Sequence, residues 1–128
     1  MSGDRLVRMA LPCTAPFARV ARTVAAACGA IEGFSVDELA DIRLLIDEVF
    51  VAMYELGVSR LELVLDPAAG RLPVTMAALD RGGPRRGDAD VAFAQALASR
   101  LAVDVRVAMD ERHPHFSATF VAVDRASR

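Results

Sequence analysis

Ser35-Val36-Asp37-Glu38 narrows the fold of this chain more than any other stretch. A serine at the cap and a glutamate three residues later can each satisfy a free backbone amide, so a helix begins there. Leu39, Ile42, Ile46, Val49 and Met53 then recur at helical spacing, and Gly57 supplies the residue that commonly follows a helix end. About six turns fit between them. Leu44, Leu45, Phe50 and Val51 fall outside that stripe. The helix is therefore apolar on more than one side and packs beneath something further, either core or a partner.

The elements around it follow from periodicity. Leu6 to Leu11 is a short apolar run that ends at Pro12, which reads as a first strand. Thr14 and Pro16 then suit a helix start, and Phe17, Val20, Val24, Ala27, Cys28 and Ile31 repeat down one face, the expected buried face. Past Gly57, Arg60 to Leu65 and Arg71 to Leu79 alternate about a turn at Asp66 to Gly70, which predicts a hairpin. Pro73 cannot donate to a ladder, so the second strand either starts late or lies at an edge. Asp80 to Asp90 is a turn-rich loop, Val91 to Leu101 resumes helical spacing, and Val103 to Met109 and His115 to Val123 alternate as closing strands. This order predicts an α/β chain of the α+β two-layer kind, with helices on one face of a mixed, mostly antiparallel sheet.

Composition removes several function classes. The chain has 128 residues, of which 54% are hydrophobic, enough for one core and one domain spanning 1–128. No stretch approaches the apolar length needed to cross a bilayer, and no apolar segment with a small-residue cleavage site follows Arg5 and Arg8, so a cytoplasmic location is expected, with no membrane partner. Formal charge is -2, from 15 basic and 17 acidic residues, which offers no global positive field for nucleic acid. Every basic side chain other than histidine is arginine, and Lys and Asn are absent. Cys13 and Cys28 are expected to be reduced thiols rather than a disulfide.

Two kinds of catalytic site find little support. His113 and His115 flank Pro114 near Asp110 and Glu111, with no third histidine to complete a metal set, so no metal is expected there. No serine sits in a Gly-x-Ser-x-Gly elbow. A better case lies on the central helix, where Asp41, Glu48, Ala52 and Glu55 share a strip beside the buried stripe. A glutamate bordering a core in this way is a general-base candidate.

Joined to the hairpin and loop after it, the segment from Phe34 to Glu48 resembles the anti-sigma-factor serine kinases of the histidine-kinase-like ATPase superfamily. In that family the helix carries Glu-x-x-x-Asn, and a hairpin leads to Asp-x-Gly-x-Gly, a lid loop, a Gly-x-Gly turn and a last helix and strand pair. Leu79-Asp80-Arg81-Gly82-Gly83 stands at the second motif. The resemblance implies the histidine-kinase-like ATPase fold, with Glu48 as the base that activates a partner's serine. It also implies Asp80 as acceptor from the adenine amino group, with Gly82 allowing close approach. The chain departs from the pattern at three places. Ala52 replaces the Asn that holds Mg²⁺, Pro84 takes the second glycine's place with Gly83 one residue early, and Asp88-Ala89-Asp90 falls where Gly-x-Gly is expected. Two carboxylates there would repel phosphates unless Arg85 or Arg86 compensates.

The resemblance therefore implies an anti-sigma-like regulator that binds a sigma factor or an anti-sigma antagonist, commonly as a homodimer, with degenerate or absent ATP binding and no cofactor expected. The alternative is an active serine protein kinase using ATP and Mg²⁺, with Glu48 as base and Arg85 or Arg86 steadying the phosphates. A scaffold that keeps only the fold is the third reading.

Overall fold

The computed structural model describes residues 5–83, 91–108 and 113–123. Eight elements run in the order β1 (Val7–Pro12), α1 (Ala15–Ile31), α2 (Val36–Glu55), β2 (Val58–Leu65), β3 (Arg71–Arg81), α3 (Val91–Leu101), β4 (Val103–Ala108) and β5 (His115–Val121). The strands form one sheet in the order β1-β2-β3-β5-β4, and all four pairings are antiparallel. The expectation of a mixed sheet is corrected here. β3 and β4 run in the same direction across the α3 crossover, but β5 inserts between them and pairs antiparallel with both.

Cross-strand partners explain the two layers. Met9 faces Leu63, Leu63 faces Met76, and Met76 faces Phe116, so one face of the sheet is a continuous apolar surface. Leu61, Leu63, Leu65, Leu72, Val74, Met76, Phe116 and Phe120 on that face are all buried. The α+β arrangement with helices packed on the sheet is thus what the alternation predicts. α2 packs against both α1 and α3, α1 also meets β2 and β3, and α3 meets β4.

The capping box at the start of α2 is complete. Ser35 Oγ accepts from Glu38 N–H at 3.1 Å, and Glu38 Oε1 accepts from Ser35 N–H at 2.7 Å. Ile42, Leu45, Ile46, Val49 and Met53 are fully buried. At about 1.5–3 kcal/mol for each large apolar side chain, their burial contributes on the order of 10 kcal/mol to anchoring this helix. Leu45 and Phe50, outside the expected stripe, are core, whereas Leu44 and Val51 remain exposed.

α1 buries a face rotated from the expected one, although Cys28 belongs to both and Val24 is half-buried against the core. The buried residues are Ala18, Ala21, Ala25, Ala26, Cys28 and Gly29, whereas Phe17, Val20, Ala27 and Ile31 are exposed. Close approach to α2 is the reason. A Cβ on Gly29 would stand 2.9 Å from Leu39 Cδ2 and 3.1 Å from Ile42 Cδ1, so the packed face must be small. Thr14 takes the N-cap position without a side-chain cap bond. Glu32, just past this helix, pairs with Arg5 and accepts from Gly70 N–H, which ties α1 to the β2–β3 turn.

Pro73 lies in a central strand rather than at an edge. Its carbonyl accepts from Asp66 N–H, one residue beyond the end of β2, so its missing donor costs only the last rung of that ladder. The face assignment of α1 has a direct check. Ala21→Leu is expected to lower stability by about 1–3 kcal/mol through overpacking, whereas Phe17→Ala changes it by less than about 1 kcal/mol. Urea unfolding of both variants measures this, and the opposite ranking contradicts the packing.

Candidate functional site

α2 is flanked differently on its two sides, and the difference sorts the polar residues. Asp47 Oδ1 accepts from Arg22 Nη1 of α1 at 2.7 Å, so this position faces α1. At 100° per residue, Asp41, Glu48 and Ala52 sit 100° to 140° around the helix from Asp47, on the flank toward α3. Glu48 and Asp41 are half-buried and Ala52 is buried at 1% exposure. The expected strip is divided at its end. Glu55 lines the groove on the α1 side, beside Tyr54.

The end of β3, which carries Asp80 and runs on to Gly82, meets the exit of the same helix. Arg81 Nη2 donates to the Leu56 carbonyl at 2.5 Å, and Gly82 N–H donates to the Gly57 carbonyl at 2.9 Å. These contacts hold the end of β3 against the exit of α2. Glu48 lies eight residues before Leu56, roughly 12 Å back along the axis. Asp80 itself is exposed and accepts from Arg60 Nη1 at 3.0 Å across the β2–β3 ladder, at a register shift. Its carboxylate is therefore already engaged by a surface cation. Gly82 and Gly83 are open to solvent, and Gly83 adopts φ +91°, a conformation that favours glycine. Arg85 and Arg86 lie outside the described residues, as do Pro84, Gly87, Asp88, Ala89, Asp90, Asp110 and Glu111.

Arg81 carries no signal in the sequence. α2 has no basic side chain in its last turn, and Arg81 brings a guanidinium to the free carbonyls there from a distant strand. A cation following an Asp and preceding two glycines has no periodicity to mark it, so only the tertiary contact reveals its role.

A groove of about 600 Å³ opens on the other side of α2, between it and the start of α1. Ala18, Phe50, Val51 and Tyr54 line it, and the Arg22–Asp47 ion pair stands at its wall. Its lining is mostly apolar, which suits the side chains of a docked segment better than a phosphate. Val51 and Tyr54 are exposed at its mouth.

Cys13 and Cys28 are both buried, and neither is in a disulfide. Cys13 Sγ lies 3.6 Å from the Phe50 carbonyl. Burial pushes the Cys28 thiol up, nearby Glu32 adds to the effect, and Arg5 opposes it. Among the described residues no group of three His, Cys, Asp or Glu side chains could hold a metal ion. His113 is exposed and His115 sits half-buried in β5 opposite Ala77. No helix among the described residues is long and apolar enough to cross a membrane.

Two measurements check this geometry. Arg81→Ala is expected to cost about 1.5–3 kcal/mol, the range for a hydrogen bond from a charged donor, whereas Arg60→Ala costs less than about 1 kcal/mol because its pair is exposed. A raised thiol pKa leaves less thiolate at pH 8, so Cys28 is expected to react with a disulfide reagent much more slowly in the native chain than in denaturant. Equal rates in the two states contradict its burial. No protein-family model matches the chain, and no curated protein matches it.

Proposed function

We propose that this chain is an anti-sigma-like regulator that acts in the cytoplasm by binding a protein partner, a sigma factor or an anti-sigma antagonist, with little or no ATP turnover. The observation that carries this reading is the position of Ala52. It stands one turn after Glu48, is buried against the core, and has a methyl group where the family places the oxygen that holds Mg²⁺. A site unable to position the metal loses the main stabilisation of a transferring phosphoryl group.

Further support comes from the order strand, helix, helix, hairpin, helix, hairpin, which agrees with the order implied by the resemblance. Asp80, the adenine-reading candidate, is paired with Arg60 at the surface, so a nucleotide would have to compete with that cation. The apolar groove between α1 and α2 offers a partner a place to bury side chains beside a polar rim.

The kinase reading is favoured by one observation, the retention of Glu48 on a half-buried flank of α2 beside Ala52. Calorimetric titration with ATP and Mg²⁺ separates the two. The regulator reading predicts no binding tighter than about 100 µM, equivalent to roughly 5.5 kcal/mol, and no phosphoryl transfer to an antagonist protein. Tighter binding, together with a phosphorylated antagonist that disappears in Glu48→Gln, would overturn it in favour of the kinase.

A further inference from the structure

The groove beside α2 follows from side-chain size in α1. Gly29 lets the two helices touch at Leu39 and Ile42, and toward the start of α1 they border an open trough of about 600 Å³. Ala15 and Ala18 give that trough only methyl groups, whereas α2 gives it Phe50, Val51 and Tyr54.

The charge on its two walls is unequal. α2 carries six carboxylates and one arginine. Glu38 is used in the capping box and Asp47 pairs with Arg22. The other four, Asp37, Asp41, Glu48 and Glu55, share an arc of about 80° with Leu44 and Val51, while Arg43 stands about 120° from its centre. Leu44 is 46% and Val51 49% exposed, so this outward arc mixes apolar side chains with acid. Among the described residues no ion pair neutralises Asp37, Asp41 or Glu48. The arc borders the trough, because Val51 and Glu55 belong to both. α1, the other wall, has only Arg19 and Arg22 as charged residues.

We propose that the trough and the acidic arc together dock a basic amphipathic helix of a partner protein. Its apolar residues, spaced three and four apart, enter between Ala18 and the Phe50–Val51–Tyr54 wall, and its arginine or lysine flank lies along the arc. Two constraints select this occupant. Both walls are helices whose backbone groups are already bonded internally, so a docked segment must satisfy its own backbone, which a helix does and an extended strand does not. An acidic segment would set like charges against four carboxylates, whereas a basic one complements them. The arc from Asp37 to Glu55 is about 27 Å long, the length of a helix of about 18 residues. The inference rests on the regulator reading for its need of a protein partner, but its test uses neither nucleotide nor antagonist, so the two fail separately.

Fluorescence anisotropy with two labelled helical peptides of about 18 residues tests it. Both carry leucines at helical spacing, and they differ only in a flank of arginines or of glutamates. The whole chain is expected to bind the basic peptide and to bind the acidic one at least about tenfold more weakly. Val51→Lys, at an exposed position of the trough, is expected to weaken the basic peptide about tenfold. Ile31→Lys adds the same charge on the side of α1 turned away from the trough, where the residue is 73% exposed, and is expected to change binding less than about twofold. If Val51→Lys loses its fold by circular dichroism, Asp37→Asn/Asp41→Asn decides, by weakening the basic peptide and flattening its salt dependence or by leaving both unchanged. No binding of the basic peptide, equal binding of the two peptides, or equal effects of Val51→Lys and Ile31→Lys overturns the proposal.

Discussion

The rest of the structure depends on the burial of α2 against the sheet and on the fastening of its two ends. At the N-terminus Glu38 completes the capping box through one oxygen and accepts from Val123 N–H through the other, so the cap is also a tie to the residues just after β5. At the C-terminus Arg81 of β3 takes the Leu56 carbonyl. Both ends are thus held by the sheet that the middle of the helix covers. α1 and α3 then have a fixed rail to pack against, and the hairpin that leaves α2 at Gly57 has a fixed starting point, where φ of +88° turns the chain.

Because α2 is held in this way, its two flanks can differ in use. One flank carries Glu48 and Ala52 toward α3, and the other forms the apolar groove with α1. The regulator reading draws on both: a flank where Ala52 has no oxygen to offer Mg²⁺, and a groove whose surface suits protein side chains. Asp80 belongs to neither flank. It is carried by the end of β3 and paired with Arg60, and that end is joined to the exit of α2 through the Arg81 guanidinium and the Gly82 N–H.

What can be read from the sequence is whatever is local or strictly periodic. The capping box, the α2 stripe, the two hairpins and α3 are specified by spacing within one element or between neighbours in the chain, and each is legible. The face of α1 is not. Periodicity marks where large apolar residues recur, and α1 instead buries its alanines because α2 approaches too closely for anything larger at Gly29. The all-antiparallel sheet and the central place of Pro73 depend on β5 inserting beside β3, a pairing between segments far apart in the chain. Glu48 and Asp80 are legible as residue types on the expected elements, but the Arg60 pair and the Arg81 cap arise from neighbours that only the fold supplies.

Native-state amide hydrogen exchange tests the central claim about α2 most directly. If the helix is fastened at both ends and buried along its middle, the amides from Ile46 to Met53 exchange only when the whole domain unfolds, with the same free energy as the slowest amides of β2 and β3. Exchange of that segment through a separate, lower-energy opening while β2 and β3 stay protected would contradict the account, because α2 could then not be the element that holds the sheet and its neighbouring helices together.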